Sequence, residues 1–280
     1  MNSDNNKFTG SLLAVDTSTS SMSIALAKGK VLVDELTSKA ERNHSIHLIP
    51  HIQQLLASAS LRAKELDAFA VGVGPGSYTG VRIGVTVGKT FAWTHGMSLI
   101  GVSSLEAMAL GGMEAYFVST KGQADHENNG LPFKEFSALD RVCQTDGTSW
   151  VVPMIEARRG QAFTALYQVA DHRWSCLEKD GIRLMSSWAE ALLERARTAS
   201  QLPDRIVFTG ETELHAEVLQ RFFEEWGGEA AEWPHEMKAR HIAELGRVKW
   251  EAGRTDTAHG LVPNYTQLPE AEAKLLGKKS

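Results

Sequence analysis

Gly72-Val-Gly-Pro-Gly-Ser-Tyr-Thr-Gly-Val-Arg-Ile-Gly84 is a glycine-rich turn that runs straight into an apolar helix. Glycine lets a backbone approach another group closely, and a helix start offers unpaired N–H groups to an anion. The helix is expected over Thr79–His95, preceded by a short buried strand at Ala68–Val73. Gly80, Gly84 and Gly88 follow one another at intervals of four and so share one face. Each interior glycine costs about 1 kcal/mol against alanine, so close packing should compensate. Val81, Val85, Val87, Phe91 and Ala92 make the helix apolar nearly all round, which predicts burial on more than one side. Its packing partner is either a second helix of this chain or another protein.

Working backwards, Leu12–Asp16 reads as a buried strand, and Ser18–Ser21 as a hydroxyl-rich turn. Ser23–Ala27 and Lys30–Leu36 read as strands joined by a tight Lys28-Gly29-Lys30 hairpin. A helix capped by Asn43 is expected over His44–Ser60, with Leu48, Ile52, Leu55, Leu56 and Ala59 at helical spacing and Pro50 bending it. Working forwards, Leu99–Val102 is a strand leading to a helix at Ser104–Leu110. Between Gly112 and Ser149 the periodicity fails, and Lys121–Gly130 is polar, so this stretch reads as an insertion or linker. Strands at Trp150–Ile155 and Ala162–Val169 open a second half. A helix at Trp188–Arg197, a strand at Arg205–Phe208 and helices at Glu213–Trp226 and Lys238–Gly253 complete it. The organisation expected is an N-terminal α/β domain over residues 1–111, a linker over 112–149 and a C-terminal domain over 150–280.

The 280 residues suffice for one large or two modest cores, and 42% hydrophobic with 22% charged residues are ordinary globular values. A net charge of −5 argues against a broad nucleic-acid surface but leaves room for a local basic patch. Cys143 and Cys176 form no metal motif and point to a reducing compartment. The polar MNSDNNKFTG start and the lack of any apolar run near 20 residues lead to the expectation of a cytoplasmic protein without a membrane span.

Three constellations could carry chemistry. Asp16-Thr17-Ser18-Thr-Ser20 closes a buried strand with a carboxylate and small hydroxyls, which suits phosphate oxygens and a hydrated cation, or simply a polar turn. His44, His47 and His51 share a helical face, but no nearby carboxylate or cysteine completes a metal set. Glu156-Ala-Arg-Arg-Gly-Gln161 could be a catalytic carboxylate with phosphate-binding arginines, or a polar hairpin. No nucleophile elbow, Walker loop or CxxC is present.

The order of these motifs carries a resemblance. LLAVDTSTSSMSIAL (12–26), NHSIHLIPHIQQLL (43–56), GVGPGSYTGVRIG (72–84) and LIGVSSLEAMA (99–109) closely resemble the bacterial TsaB (YeaZ) family. MIEARRGQAFTALY (154–167) and PNYTQLPEAE (263–272) are similar to its later motifs, the last more loosely. The resemblance implies an actin-like (ASKHA, ribonuclease H-like) fold of two βα domains. It also implies a role in the threonylcarbamoyl modification of adenosine (t6A) in ANN-decoding tRNAs. Such proteins pair with the catalytic subunit TsaD, which resembles them in fold; the ATPase TsaE joins the pair, and TsaC supplies the threonylcarbamoyl adenylate.

The catalytic relatives carry His-Leu-Glu-Gly-His where this chain has Ser104-Leu-Glu-Ala-Met108. Neither serine nor methionine replaces imidazole on a catalytic iron or zinc. The resemblance is therefore to the non-catalytic paralogue, with no catalytic residue, metal or cofactor of its own; ATP and a metal serve the complex through TsaD and TsaE. Carried over, the TsaD-pairing face comprises His44, His47, Leu48, Ile52, Gly80, Gly84 and Gly88, with the glycine stripe inside an intermolecular helix bundle. Asp16, Thr17 and Ser18 match the phosphate-turn position of a site that looks degenerate. A homodimer is expected when TsaD is absent, and tRNA is met through the complex. The rivals are a self-sufficient actin-like ATPase or kinase using Asp16, and a metallohydrolase on the three histidines.

Overall fold

The computed structural model describes residues 9–39, 44–120, 134–135 and 137–266. The Asn43 cap, the polar run Lys121–Gly130 and the chain after Thr266 lie outside them. Alternation in β1 (Ser11–Asp16) sends Leu12 and Ala14 to one face of a sheet and Leu13 and Val15 to the other. Both sets are buried, so this strand lies in the centre. β2 (Ser21–Lys28) and β3 (Val31–Lys39) add antiparallel to it. After α1 (His44–Ser58), β4 (Ala68–Gly72) joins β1 in parallel. α2 (Tyr78–His95) then leads to β5 (Ser98–Val102), parallel to β4. α3 (Ser104–Thr120) follows, and the two-residue β6 (Lys134–Glu135) edges β3.

The second half begins after α4 (Ala138–Cys143) and repeats the same plan. β7 (Ser149–Glu156), β8 (Gln161–Ala170) and β9 (Arg173–Leu184) form an antiparallel meander. α5 (Met185–Thr198), β10 (Arg205–Gly210), α6 (Ala216–Trp226) and β11 (Glu229–Pro234) add two parallel strands beyond β7. The orders β5-β4-β1-β2-β3-β6 and β11-β10-β7-β8-β9 are thus one topology used twice, apart from β6. Three antiparallel strands followed by two parallel ones make each half a ribonuclease H-like βα domain, and the pair has the actin-like architecture.

α3 and α7 (Ala239–Glu251) lie between the two sheets in a single apolar core that joins Ala14, Val102, Met113, Val151, Val207 and Ile242. α1 and α2 cover the outer face of the first sheet, and α5 and α6 that of the second. Among the described residues, no helix is long and apolar enough to cross a membrane.

Several expectations need correction. α3 runs ten residues past Leu110, so the expected boundary at 111/112 falls inside a helix. The periodicity fails there because nearly every side of α3 is buried, which erases the amphipathic stripe. α7, from the second half of the chain, touches β1, β2, β4 and β5 of the first sheet. β9 and β11 were not expected as strands: both are edge strands with half-exposed, polar-rich sequences. The stretch Glu213–Trp226 divides into a 3-10 turn at Glu213–His215 and α6.

Candidate functional site

Gly74 and Gly76 have positive φ, and Ser77 caps α2, its hydroxyl accepting from Gly80 N at 3.3 Å. Against this turn lies the end of β1. The buried Asp16 carboxylate accepts from Ser18 N (2.8 Å) and Ser18 Oγ (2.7 Å) on one oxygen and from Ser104 Oγ (2.6 Å) on the other. Ser104 Oγ accepts from Gly74 N (3.1 Å), and Ser77 N donates to Ser18 O (2.7 Å). Thr17 Oγ1 donates to Gly80 O (2.7 Å). Asp16, Thr17 and Ser18 therefore bind the ends of β1, α2 and α3 together, and their polar atoms are engaged within the chain.

The glycine stripe belongs to the same lock. A Cβ on Gly72 would sit 1.9 Å from Asp16 Oδ2, on Gly80 2.1 Å from Thr17 O, and on Gly84 2.6 Å from Thr17 Oγ1; on Gly88 it would press on Phe69 at 3.2 Å. The stripe faces this chain's own sheet, which corrects its placement in an intermolecular bundle. Leu48 and Ile52 are likewise buried against the first sheet and are not open to a partner. His47 is exposed and stacks on His51, with ring centroids 5.8 Å apart. His44 opens α1, but its side chain lies outside the described residues.

α1 and α2 expose polar side chains, among them Gln53, Gln54, Arg82 and Thr86, with a few large apolar ones between them. Among the described residues nine large hydrophobic side chains are exposed, and Ile46 (65%), Ile49, Tyr78 and Trp93 (76%) stand on these two helices. Sequence periodicity missed them because apolar residues on every side of a helix do not show which side the sheet takes.

Ser104 and Met108, which the sequence resemblance sets against metal histidines, are both buried, Met108 beside a cleft that it helps to line. Ser104 is fully buried and spent on Asp16 and Gly74, and Met108 is buried in the inter-sheet core. Among the described residues no group of three histidine, cysteine or acidic side chains could hold a metal ion.

A cleft of about 520 Å³ opens between the two halves of the chain. Thr19, Ser20 and Ser21 line one wall, but Glu156, Glu211, Glu213 and Glu236 face them with Lys39 and His235. Burial raises the Glu211 carboxyl, and the neighbouring Glu156 and Glu213 charges push the same way against its bond from Glu156 N. The bond from Ser21 Oγ (2.6 Å) lowers Glu236. His215 Nε2 meets Glu156 Oε2 at 2.9 Å. Burial, reinforced by His241 and Lys238, drops His235 to about 3. Triphosphate oxygens would meet more carboxylates than cations here, so the cleft is poorly suited to ATP.

A family model described as "TsaD: tRNA N6-adenosine threonylcarbamoyltransferase" matches residues 35–119, the span holding α1, α2 and the Ser104–Met108 run. The tRNA threonylcarbamoyladenosine biosynthesis protein TsaB of Bacillus subtilis (strain 168) is 32% identical over 266 residues, covering 94% of this chain and 96% of that protein. TsaB of Haemophilus influenzae is 40% identical over 107 residues, 38% of this chain and 44% of that protein. YeaZ from Pseudomonas aeruginosa superposes with a TM-score of 0.63 at 20% identity, over 91% of this chain and 99% of that one, a likeness of fold. With near-complete coverage of the Bacillus protein, the chain belongs to the TsaB family of tRNA threonylcarbamoyladenosine biosynthesis proteins.

Proposed function

We propose that this protein is a non-catalytic subunit that pairs with TsaD through the outer face of α1 and α2 and supports threonylcarbamoylation of ANN-decoding tRNAs, with TsaE joining the pair. The observation that carries the reading is at Ser104 and Met108. Where the catalytic relatives hold histidines, this chain has a hydroxyl locked to Asp16 and a buried thioether. The acidic cleft supports the same reading, because it leaves ATP and metal chemistry to TsaD and TsaE. The apolar side chains of α1 and α2 supply a surface that association would cover, with TsaD or, in its absence, with a second copy.

The direct test is co-purification with TsaD. Wild-type chain is expected to form a stable complex on size exclusion, and Ile46→Glu/Ile49→Glu to lose it while folding normally. A double variant that pairs as tightly as wild type would refute this face.

A further inference from the structure

The β7–β8 hairpin has an unusual turn. Arg158, Arg159 and Gly160 hold successive φ values of +69°, +58° and +72°. Glycine adopts this left-handed backbone freely, whereas residues with a Cβ resist it, and turns that need it ordinarily use Gly, Asn or Asp. Here two consecutive arginines take it. The turn is also pinned. Ala157 N donates to Gln161 O (3.0 Å), Gln161 N to Arg158 O (3.0 Å) and Met185 N to Gly160 O (2.9 Å). Arg158 N donates to Glu156 Oε1 (2.5 Å), whose other oxygen meets the buried His215.

Both arginines are exposed, and neither guanidinium has an ion pair or hydrogen bond among the described residues. Arg62, Arg141, Arg195, Arg205 and Arg240 each sit on a carboxylate, and Arg173 and Arg221, likewise exposed without an ion pair among the described residues, take no left-handed backbone. A disfavoured backbone retained at two unpaired cations points to a role outside the fold.

Resting on the reading given under Proposed function, we infer that Arg158 and Arg159 are a phosphate-contacting tip that this subunit offers to the backbone of the tRNA. The planar guanidinium fork matches a phosphate bidentately and keeps its charge at any working pH. A rigid hairpin presents two such forks without ordering a loop on binding. Glu156, Glu211 and Glu213 on the cleft side confine the contact to one or two phosphates, which fits a chain of net charge −5. A folded protein partner fits less well, because exposed ion pairs at an interface rim add little affinity.

The test measures tRNA affinity of the assembled complex against salt, for wild type, Arg158→Ala/Arg159→Ala and Arg158→Gly/Arg159→Gly. Both variants are expected to weaken binding about tenfold at low salt and to reduce the slope of log K against log salt by about 1 to 2. Association with TsaD stays unchanged, and the glycine variant melts no lower than wild type because its backbone strain is relieved. Unaltered affinity and slope in both variants would overturn the inference alone. Loss of TsaD or TsaE association in place of tRNA affinity would assign the tip to protein docking and also overturn it. A wild-type chain that gives the complex neither tRNA modification nor tRNA affinity would remove the partner-subunit reading, and this inference with it.

Discussion

At Gly84 the chain has room for a hydrogen and little else, since a methyl group there would lie 2.6 Å from Thr17 Oγ1. Gly84→Leu is therefore expected to cost at least about 3 kcal/mol in urea unfolding, by overpacking the join between β1 and α2. A stable variant that only lost TsaD would contradict the lock. Asp16→Ala should cost about 2–4 kcal/mol by stranding the hydroxyls of Ser18 and Ser104, with no effect on any ATP turnover of the purified chain. The sequence made the stripe legible as one helical face. It did not show which neighbour that face meets, because Thr17 lies 63 residues from Gly80 in the chain. Titration of His235 belongs to the same scale. Its folded value of about 3 lies below the ordinary 6.5, so the unfolded chain takes up a proton that the folded one refuses. That contribution to stability is complete above about pH 6.5 and falls as pH drops towards 3, by up to about 1.4 kcal/mol per unit. His235→Phe should flatten the wild-type decline by about one proton between pH 6 and 4 in denaturant titrations. Parallel wild-type and variant profiles would show that His235 does not carry it.

Among the elements, α1 and α2 divide their residues between two tasks. Leu48, Ile52, Leu55, Val81 and Val85 hold the first sheet, while Ile46, Ile49 and Trp93 remain outside. Trp93→Ala should leave the melting temperature within about 2 °C, as exposed substitutions do, yet weaken TsaD association about tenfold. An unchanged affinity would move the contact away from the C-terminal end of α2. α1 was legible from the helical spacing of Leu48, Ile52, Leu55 and Leu56, and α2 from its glycines at intervals of four, but neither pattern showed which apolar residues stay outside. α3 was legible only in its first turns. Gly111 and Gly112 look like helix breakers, but a Cβ at Gly112 would meet Thr209 Oγ1 at 1.9 Å and at Gly111 His241 Cε1 at 2.6 Å. They are glycines because β10 and α7 press on the helix there. Local sequence cannot report a neighbour that arrives about 100 residues later. β9 and β11 escaped for the opposite reason, since edge strands bury too little to show a period of two.

Across the whole molecule, one five-strand plan occurs twice, and two helices from different parts of the chain fill the space between the copies. The duplication leaves no visible repeat in the sequence, because only strand order and burial are shared. The cleft between the two halves is lined with glutamates, Ser104 is held in a hydrogen-bond lock, and Met108 is buried. In the proposed role the chain is a scaffold, with Ile46, Ile49 and Trp93 on its outer helices open to a partner. The measurement that tests this most directly is reconstitution of tRNA threonylcarbamoylation with cognate TsaC, TsaD and TsaE, with and without this chain. The account predicts modification only when the chain is present, and none from the chain alone. Full modification without it would contradict the account.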